Sequence, residues 1–557
     1  MSGYIYLFFL SVFVISAASH VFVAVFNQVN WDEFFFLSKI YLYEAGSLTS
    51  ALQTGYVHFF VWLTHMPGNE VDQVVAGRLV MFLMQCGTLW LLFRMAKSLL
   101  GTNAALFALL AYSTFSFVTL YGASFRADPM AGLLMMWATY LVYSRDPGGG
   151  MVFGVALLIA GAVLVTVKAV LLVPLLILIA LVRTGGRHDA KVMASRYALL
   201  AATTVCCFAF LYFFHERSLG GGKLSSSVDK VTGPYTYVIQ LHNLFPRRST
   251  ILETLEVTDS FYYLTIACGF FFAIWRLIIE KGRCRREWFL LVFSYPLLIL
   301  VFYRNAFPYF FPFILPTVSL LAGYLWYVAE SAKTARSLML LPILAAVIFG
   351  CKIYRDGIRA PIVHGTENQR QTLAVVHRMF PEPVPYLDGN SMVSSFPKAG
   401  FFMSTWGLKK YFDAGDPLIS AAITEMQPKF IVLNTSTGAL ANALYEGNGL
   451  LPEDVRALQS NYIPHWGAIC IAGKKVHLIA GQQRSVRLMI AGPYTLESSR
   501  SVLVDGRVVE PGAVIQASSR PILLAVRDGV VDLVLRYGNH IYRPEFRPLS
   551  DRLYTGF

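Results

Sequence analysis

Apolar runs of about twenty residues recur along the first two-thirds of the chain, and each is long enough to cross about 30 Å of hydrocarbon. They fall at 4–26, 76–95, 102–121, 127–143, 151–166, 168–183, 197–214, 260–279, 288–304, 308–327 and 337–352. This pattern predicts a polytopic α-helical membrane part of about eleven spanning segments, followed by a tail of different composition. Only 14% of the 557 residues are charged, against roughly a quarter in soluble domains. The first run, Tyr4 to Phe26, is too long for a signal-peptide core and has no charged start, so it is expected to stay as the first helix. The fifth and sixth runs are broken only by Lys168, and sequence alone leaves open one long tilted helix or two short ones.

The formal charge of +13 does not point to nucleic acid, because much of the excess sits in short loops between the runs. Alternate loops carry Arg94 and Lys97; Arg145; Arg183, Arg187, Lys191 and Arg196; Arg276, Lys281, Arg283, Arg285 and Arg286; and Lys333 and Arg336. The loop 27–75 has Lys39 against Asp32, Glu33, Glu44, Glu70 and Asp72. The positive-inside bias then places the N-terminus inside, the first loop outside and, after eleven crossings, the tail outside.

That organisation gives a membrane part over 1–352, with outer loops at 27–75 and 215–258, an α/β subdomain over 353–484 and a β-sandwich-like subdomain over 485–557. Asn368 to Phe380 and Asp416 to Met426 read as helices, and Val384 to Leu387 and Phe430 to Leu433 as strands. Asp505-Gly506 within Val502 to Val509 and Asp528-Gly529 within Ile522 to Leu535 both read as hairpin turns. The tail holds one cysteine, Cys470, so it has no internal disulfide, and the absence of CxxC or a Cys/His cluster speaks against a structural zinc site.

Several polar residues stand at expected outer membrane edges. Asp32 and Glu33 follow the first helix; adjacent carboxylates there suit general-base work, and equally a solvated loop or helix cap. In Phe125-Arg126-Ala127-Asp128-Pro129 the carboxylate is a second acidic residue on that face, although Asp-Pro is also a common helix start and Arg126 a natural snorkelling residue. Lys168 and Arg304 run against the positive-inside bias, which suits a lipid phosphate partner or simple interface anchoring. The loop 215–258 carries Gly220-Gly-Gly222, Lys223, Lys230, Arg247 and Arg248, basic residues that would close over a phosphate or merely decorate a flexible loop. His58 and His65 lie seven residues apart, a weak metal spacing. No P-loop, nucleophile elbow or HExxH occurs.

The order Asp-Glu, Arg-x-Asp-Pro, Thr166-Val-Lys168 with Pro174, and Tyr303-Arg304-Asn-Ala-Phe-Pro308-Tyr309-Phe-Phe-Pro312-Phe-Ile-Leu-Pro316 resembles the GT-C glycosyltransferase superfamily. The resemblance is nearest the protein O-mannosyltransferase and lipid A aminoarabinose transferase branch, and it covers about 1–352. It implies a GT-C fold, a polyprenyl-phosphate sugar donor and an inverting transfer to a lipid, glycan or protein acceptor at the periplasmic face of a bacterial inner membrane. It implies Asp32 as base with Glu33 in support, Asp128 as the second acidic position, and Lys168 and Arg304 on the donor phosphate, with Arg126, Arg247 and Arg248 as further cations. His58 stands in the first-loop stretch where the family often has Lys/His-Pro-Pro, which makes it a candidate acceptor contact. Phe34-Phe35-Phe36 follows the Asp-Glu where the family often has Arg-Tyr, and Pro308-Tyr309 replaces another Arg-Tyr. A divalent cation, Mg²⁺ or Mn²⁺, held by Asp32 or Asp128 remains open.

Competing readings are a transporter or flippase of lipid-linked sugar, and a non-catalytic subunit that holds polysaccharide on its β-rich tail. An oligosaccharyltransferase ranks lower because the tail has no Trp-Trp-Asp-like signature. A phosphoethanolamine transferase ranks lower still because the tail lacks a metal cluster.

Overall fold

The structure is a computed structural model that describes residues 2–146, 148–185, 190–219, 245–257, 259–332, 340–433, 438–518 and 520–554. Gly220 to Gly222, Lys223, Lys230, Arg187, Lys333 and Arg336 lie outside the described residues. The chain divides into two compact units: 1–27, 42–65 and 75–364 form one, and 28–41, 66–74 and 365–557 the other.

The first unit is helical. Its helices are α1 (Ser2–Phe26), α2 (Trp31–Glu44, shared between the units), α3 (Val57–Phe60), α4 (Glu70–Leu100, likewise shared), α5 (Thr102–Ser113), α6 (Ser116–Tyr121), α7 (Ala127–Ser144), α8 (Gly149–Val165), α9 (Val173–Thr184) and α10 (Ala190–Arg217). They continue as α11 (Arg248–Val257), α12 (Ser260–Ile279), α13 (Arg285–Phe293), α14 (Pro296–Phe302), α15 (Phe311–Val318), α16 (Leu320–Ser331) and α17 (Leu340–Lys352). Over the described residues each of the eleven expected segments is thus a helix or a run of helices; 337–339, the start of the last, lie outside them. Among the described residues six helices are long and apolar enough to cross a membrane, and the chain is a helical membrane protein with a C-terminal sheet domain.

The stretch 151–183 is two helices. α8 stops at Thr166, which is extended at φ −155°, and a 3-10 segment, Val167–Leu172, intervenes before α9. Pro174 sits in the first turn of α9. Proline there is preset for a helix start, and inside a longer helix its ring would clash with the carbonyl four residues back, which favours the break. Lys168 lies in the break.

Small residues let other helices approach closely. A Cβ on Gly323 would come within 2.7 Å of the Ala104 carbonyl oxygen, and one on Gly269 would run into the Leu321 carbonyl. Phe9, Phe107 and Trp326 fill the space between α1, α5 and α16, with ring centroids 5.0–5.8 Å apart.

The second unit is a sandwich. Its larger sheet runs β10-β7-β12-β5-β3-β1-β2, with β4 also paired to β5. Here β1 is Tyr386–Asp388, β2 Lys398–Ala399, β3 Phe430–Val432, β4 Tyr462–Trp466, β5 Ile469–Ile479, β7 Gly492–Glu497, β10 Val514–Ala517 and β12 Val530–Tyr537. β6 (Gln483–Val486), β8 (Val502–Val504), β9 (Arg507–Val509) and β11 (Ile522–Ala525) form the smaller sheet. β1 pairs in parallel with β2 and β3, and β5 joins β3 to β12 antiparallel, so the sheet is continuous across residue 485. Leu496, Leu533 and Leu535 from the larger sheet meet Val502, Ile522 and Leu524 from the smaller in one buried core.

The Asp505-Gly506 turn closes a hairpin, β8 against β9. Both turn residues have positive φ, 49° and 80°, as a two-residue turn that matches strand twist requires. The expected hairpin over Ile522 to Leu535 is corrected: β11 pairs with β6 and β8, and β12 with β5 and β7. Both strands bury one face in the common core, so the Asp528-Gly529 turn carries the chain from one sheet to the other.

Helices 367–379, as α18 (Glu367–Met379), and 418–426 fall where the amphipathic pattern placed them. Gln369 on α18 accepts from Val29 N at 2.8 Å and donates to Val29 O at 2.7 Å, fixing segment 28–41 within this unit.

Candidate functional site

The helical unit gathers cations around one aromatic ring, Tyr309. The proline-rich stretch 303–316 sets this up: Pro308 opens a short 3-10 turn, Pro308–Phe310, that leads into α15. The Arg126 guanidinium lies 3.5 Å from the Tyr309 ring centroid and Lys168 Nζ 4.8 Å from it. Phe307 stacks on Tyr309 at 5.7 Å, and Arg247 lies 4.1 Å over Phe307. Arg247 Nε donates to the Arg304 carbonyl at 3.1 Å. Burial holds the Arg247 guanidinium below its ordinary value; Tyr309 opposes this and the Arg304 charge adds to it.

One carboxylate answers these charges. Asp128, 3% exposed, stands in the first turn of α7, where a helix N-terminus favours an anion. Its Oδ1 accepts from Lys168 Nζ at 2.8 Å, and its Oδ2 is 3.5 Å from Arg126 Nε. The sequence-derived residues Arg126, Asp128, Lys168, Arg247 and Arg304 therefore lie in one cluster. Arg248 opens α11 and is exposed. Tyr309 and Phe307 were missed by sequence reasoning, although the proline-rich aromatic motif that contains them was its signal.

Asp32 and Glu33 belong to the sheet-containing unit. Asn30 accepts from Asp32 N at 3.0 Å through its side chain, while Glu33 Oε2 accepts from Asn30 N at 2.9 Å. This reciprocal pair is a capping box at the start of α2. Glu33 is buried and Asp32 partly exposed. The cap fixes the first turn of the helix, and with it the direction of the Asp32 side chain.

His58 and His65 do not converge on a metal. His65 pairs with Glu44 at 2.9 Å. His58 Nδ1 meets the Tyr43 hydroxyl at 3.0 Å and its Nε2 meets His215 Nδ1 at 2.8 Å. His215 Nε2 contacts Thr54 Oγ1 at 2.9 Å, and Thr54 donates to the Ser50 carbonyl at 2.7 Å. With Tyr43 as first donor and both imidazoles neutral, every proton in this chain has one acceptor. Among the described residues no three His, Cys, Asp or Glu side chains gather as metal ligands. Asp128 is already flanked by two cations, an environment that favours an approaching anion over a divalent cation.

A second polar cluster, unseen in the sequence, lies in the sheet-containing unit. Glu70, 1% exposed, accepts from Ser395 Oγ at 2.5 Å and pairs with His377 Nε2 at 2.9 Å. Burial alone would lower the His377 pKa, but the hydrogen bond and charge of Glu70 outweigh it and raise the value. The carboxylate stands between Ser395 and His377, so this is not a nucleophile-base relay, which needs the imidazole in the middle.

Residues 56–213 match the family model of dolichyl-phosphate-mannose-protein mannosyltransferases. No curated protein matches the chain in sequence. Among solved structures, the chain is similar to the oligosaccharyltransferase AglB of Archaeoglobus fulgidus, solved with an inhibitory peptide and a dolichol-phosphate. The TM-score is 0.52 at 12% identity, over 92% of this chain and 76% of that one. It is equally similar to ArnT of Cupriavidus metallidurans bound to undecaprenyl phosphate, with TM-score 0.52 at 13% identity, over 80% of this chain and 95% of that one. By these likenesses, and by the sequence motifs that its helices carry, the chain has the GT-C fold.

Proposed function

We propose that the chain is an inverting glycosyltransferase that moves a sugar from a polyprenyl-phosphate donor to a lipid, glycan or protein acceptor. Its site would face the periplasm at the inner membrane of a bacterium, with the tail on the same side. Support for the orientation is the loop charge bias. Support for the chemistry is one observation above all: in a GT-C fold, Arg126 and Lys168 lie against the Tyr309 ring, Arg247 lies over the neighbouring Phe307 beside Arg304, and Asp128 pairs with Lys168. Such a cluster is electropositive and partly dry, and it suits a lipid-linked phosphate.

The chemistry then runs as follows. The acceptor hydroxyl oxygen attacks the anomeric carbon while the bond from that carbon to the donor phosphate oxygen breaks. Asp32 takes the hydroxyl proton, and polyprenyl phosphate leaves with the bonding electron pair. Arg126, Lys168 and the Arg247–Arg304 pair hold the phosphate as its charge grows, which is worth most where water is excluded. Asp128 holds Lys168 and Arg126 in place without cancelling them.

The test is a transfer assay in proteoliposomes with a polyprenyl-phosphate donor labelled in its sugar. The reading requires a new glycosidic bond of opposite anomeric configuration and stoichiometric release of polyprenyl phosphate. Label that changes membrane side without a new bond would identify a transporter instead.

A further inference from the structure

The helical unit has a second basic cavity, at the opposite end of α7 from Asp128. α7 is 18 residues long, which separates the two ends by about 25 Å. The cavity has a volume of about 370 Å³, and among the described residues its lining holds three arginines, Arg94, Arg183 and Arg285, and no carboxylate. They come from the last two turns of α4, the last turn of α9 and the first turn of α13, beside the last turns of α7.

Their roles differ. Arg183 is buried and committed: it donates to the Val142 and Tyr143 carbonyls at 3.1 and 2.5 Å and pairs with Asp146 at 2.5 Å. It thereby satisfies the carbonyls that the end of α7 leaves open. Arg94 and Arg285 are exposed. Arg94 makes one long hydrogen bond, 3.5 Å, to the Tyr140 hydroxyl, and Arg285 donates once, to the Arg183 carbonyl at 3.0 Å. Each guanidinium has five N–H donors, so most of theirs are left for a ligand. Tyr143 and Ser98, hydrogen-bonded to each other at 2.9 Å, add hydroxyls on the same wall. Counting Asp146, which pairs with Arg183, the described residues of the cavity keep a net charge of about +2.

The neighbouring surface is built for lipid. α4 and α7 run parallel here: Gly87 faces Leu133, Arg94 faces Tyr140 and Ser98 faces Tyr143. One turn back from the cavity, Trp90 on α4 and Trp137 on α7 are 52% and 46% exposed. The Arg94 guanidinium lies 5.6 Å over the Trp90 ring. Exposed tryptophans at one depth mark a membrane interface, and a basic pocket between helix ends at that depth suits an anionic headgroup.

We infer that this cavity binds the phosphodiester headgroup of an anionic bilayer phospholipid, with Arg94 and Arg285 on the phosphate and the acyl chains beside Trp90 and Trp137. The site is independent of sugar transfer and lies in the other leaflet from the proposed donor. A loop that is basic only to orient the protein would spread its arginines over the surface. Here one of them is buried to shape a cavity and two others point donors at it.

The experiment is native mass spectrometry of the full chain in mild detergent, given equal phosphatidylglycerol and phosphatidylcholine. The site predicts a preference for phosphatidylglycerol of at least about tenfold, from two charge-assisted contacts. That preference should collapse in Arg94→Gln/Arg285→Gln. Soluble glycerol 3-phosphate at the same concentration should not displace the lipid; equal displacement would mean a free-anion site and overturn the inference. A photoactivatable phosphatidylglycerol needs no variant: crosslinks in 137–144 or 285–289 support the site, and crosslinks confined to the Tyr309 cluster overturn it. A wild-type chain without preference, or a double variant that keeps it, overturns it as well.

Discussion

Lys168 Nζ lies 2.8 Å from Asp128 Oδ1, joining the 3-10 break between α8 and α9 to the first turn of α7. The Asp128 side chain is 4% exposed and that of Lys168 18%. Removing one partner of such a buried pair leaves a charge without compensation, at a cost of about 3–5 kcal/mol. Asp128→Asn should lower the midpoint of unfolding in detergent accordingly. Asp128→Asn combined with Lys168→Met should lose less than the sum of the single changes, with a coupling of about 0.5–3 kcal/mol. Strictly additive losses would show that the pair does not hold the cluster together.

Tyr309 gives the cations a common floor. Tyr309→Leu removes the ring and should loosen Arg126 and Lys168, each contact being worth about 0.5–2 kcal/mol. Arg304→Ala removes a cation beside Arg247. Both variants should raise the KM for donor about tenfold or more, with a smaller fall in kcat, because the phosphate is held in ground and transition states alike. Tyr309→Phe keeps the ring and should stay near wild type. An unchanged donor KM in Tyr309→Leu and Arg304→Ala would remove this cluster from the phosphate site.

Glu33 closes the capping box of α2 with Asn30. Gln can make the same hydrogen bond to the Asn30 N–H, so Glu33→Gln should fold normally and transfer sugar within several-fold of wild type. Glu33→Ala opens the box and should cost about 1 kcal/mol in thermal unfolding. A hundredfold loss of transfer in Glu33→Gln would instead place Glu33 in the chemistry.

The spanning segments were legible because length and hydropathy alone set them. The Asp505-Gly506 hairpin was legible because its turn needs positive φ at both positions. The same dipeptide at Asp528-Gly529 misled, since a tight turn encodes a reversal of the chain and not which strand lies alongside. Arg126, Asp128, Lys168 and Arg304 were readable singly as polar residues at helix edges. Their gathering into one cluster beside Tyr309 and Phe307 was not, because it depends on a helix start, a break between two helices and a distant loop meeting in space. His58 with His215, 157 positions apart, and Val29 with Gln369, 340 apart, leave no mark in local pattern at all.

His377 is a pH-dependent fastening through Glu70. Its folded pKa is raised above the ordinary 6.5, so the charged pair stabilises the fold fully below about pH 6.5 and the contribution is lost as pH rises through the folded value. Thermal unfolding of the full chain should show wild type gaining more stability than His377→Gln between about pH 8 and pH 6. Parallel pH profiles for the two proteins would contradict the assignment.

Asp32 carries the central claim. A hydroxyl oxygen is a poor nucleophile while it keeps its proton, and a carboxylate that removes the proton as the new bond forms is typically worth about 10²–10⁴-fold. Asn keeps the shape and one acceptor oxygen of Asp but almost none of its basicity. The decisive measurement is the single-turnover rate of sugar transfer by purified Asp32→Asn at saturating donor. A fall of at least about a hundredfold, with donor binding and unfolding midpoint near wild type, is the predicted result. Retention of more than about half the wild-type rate, against that expected loss, would contradict it and pass the role of base to another carboxylate, Asp128 first.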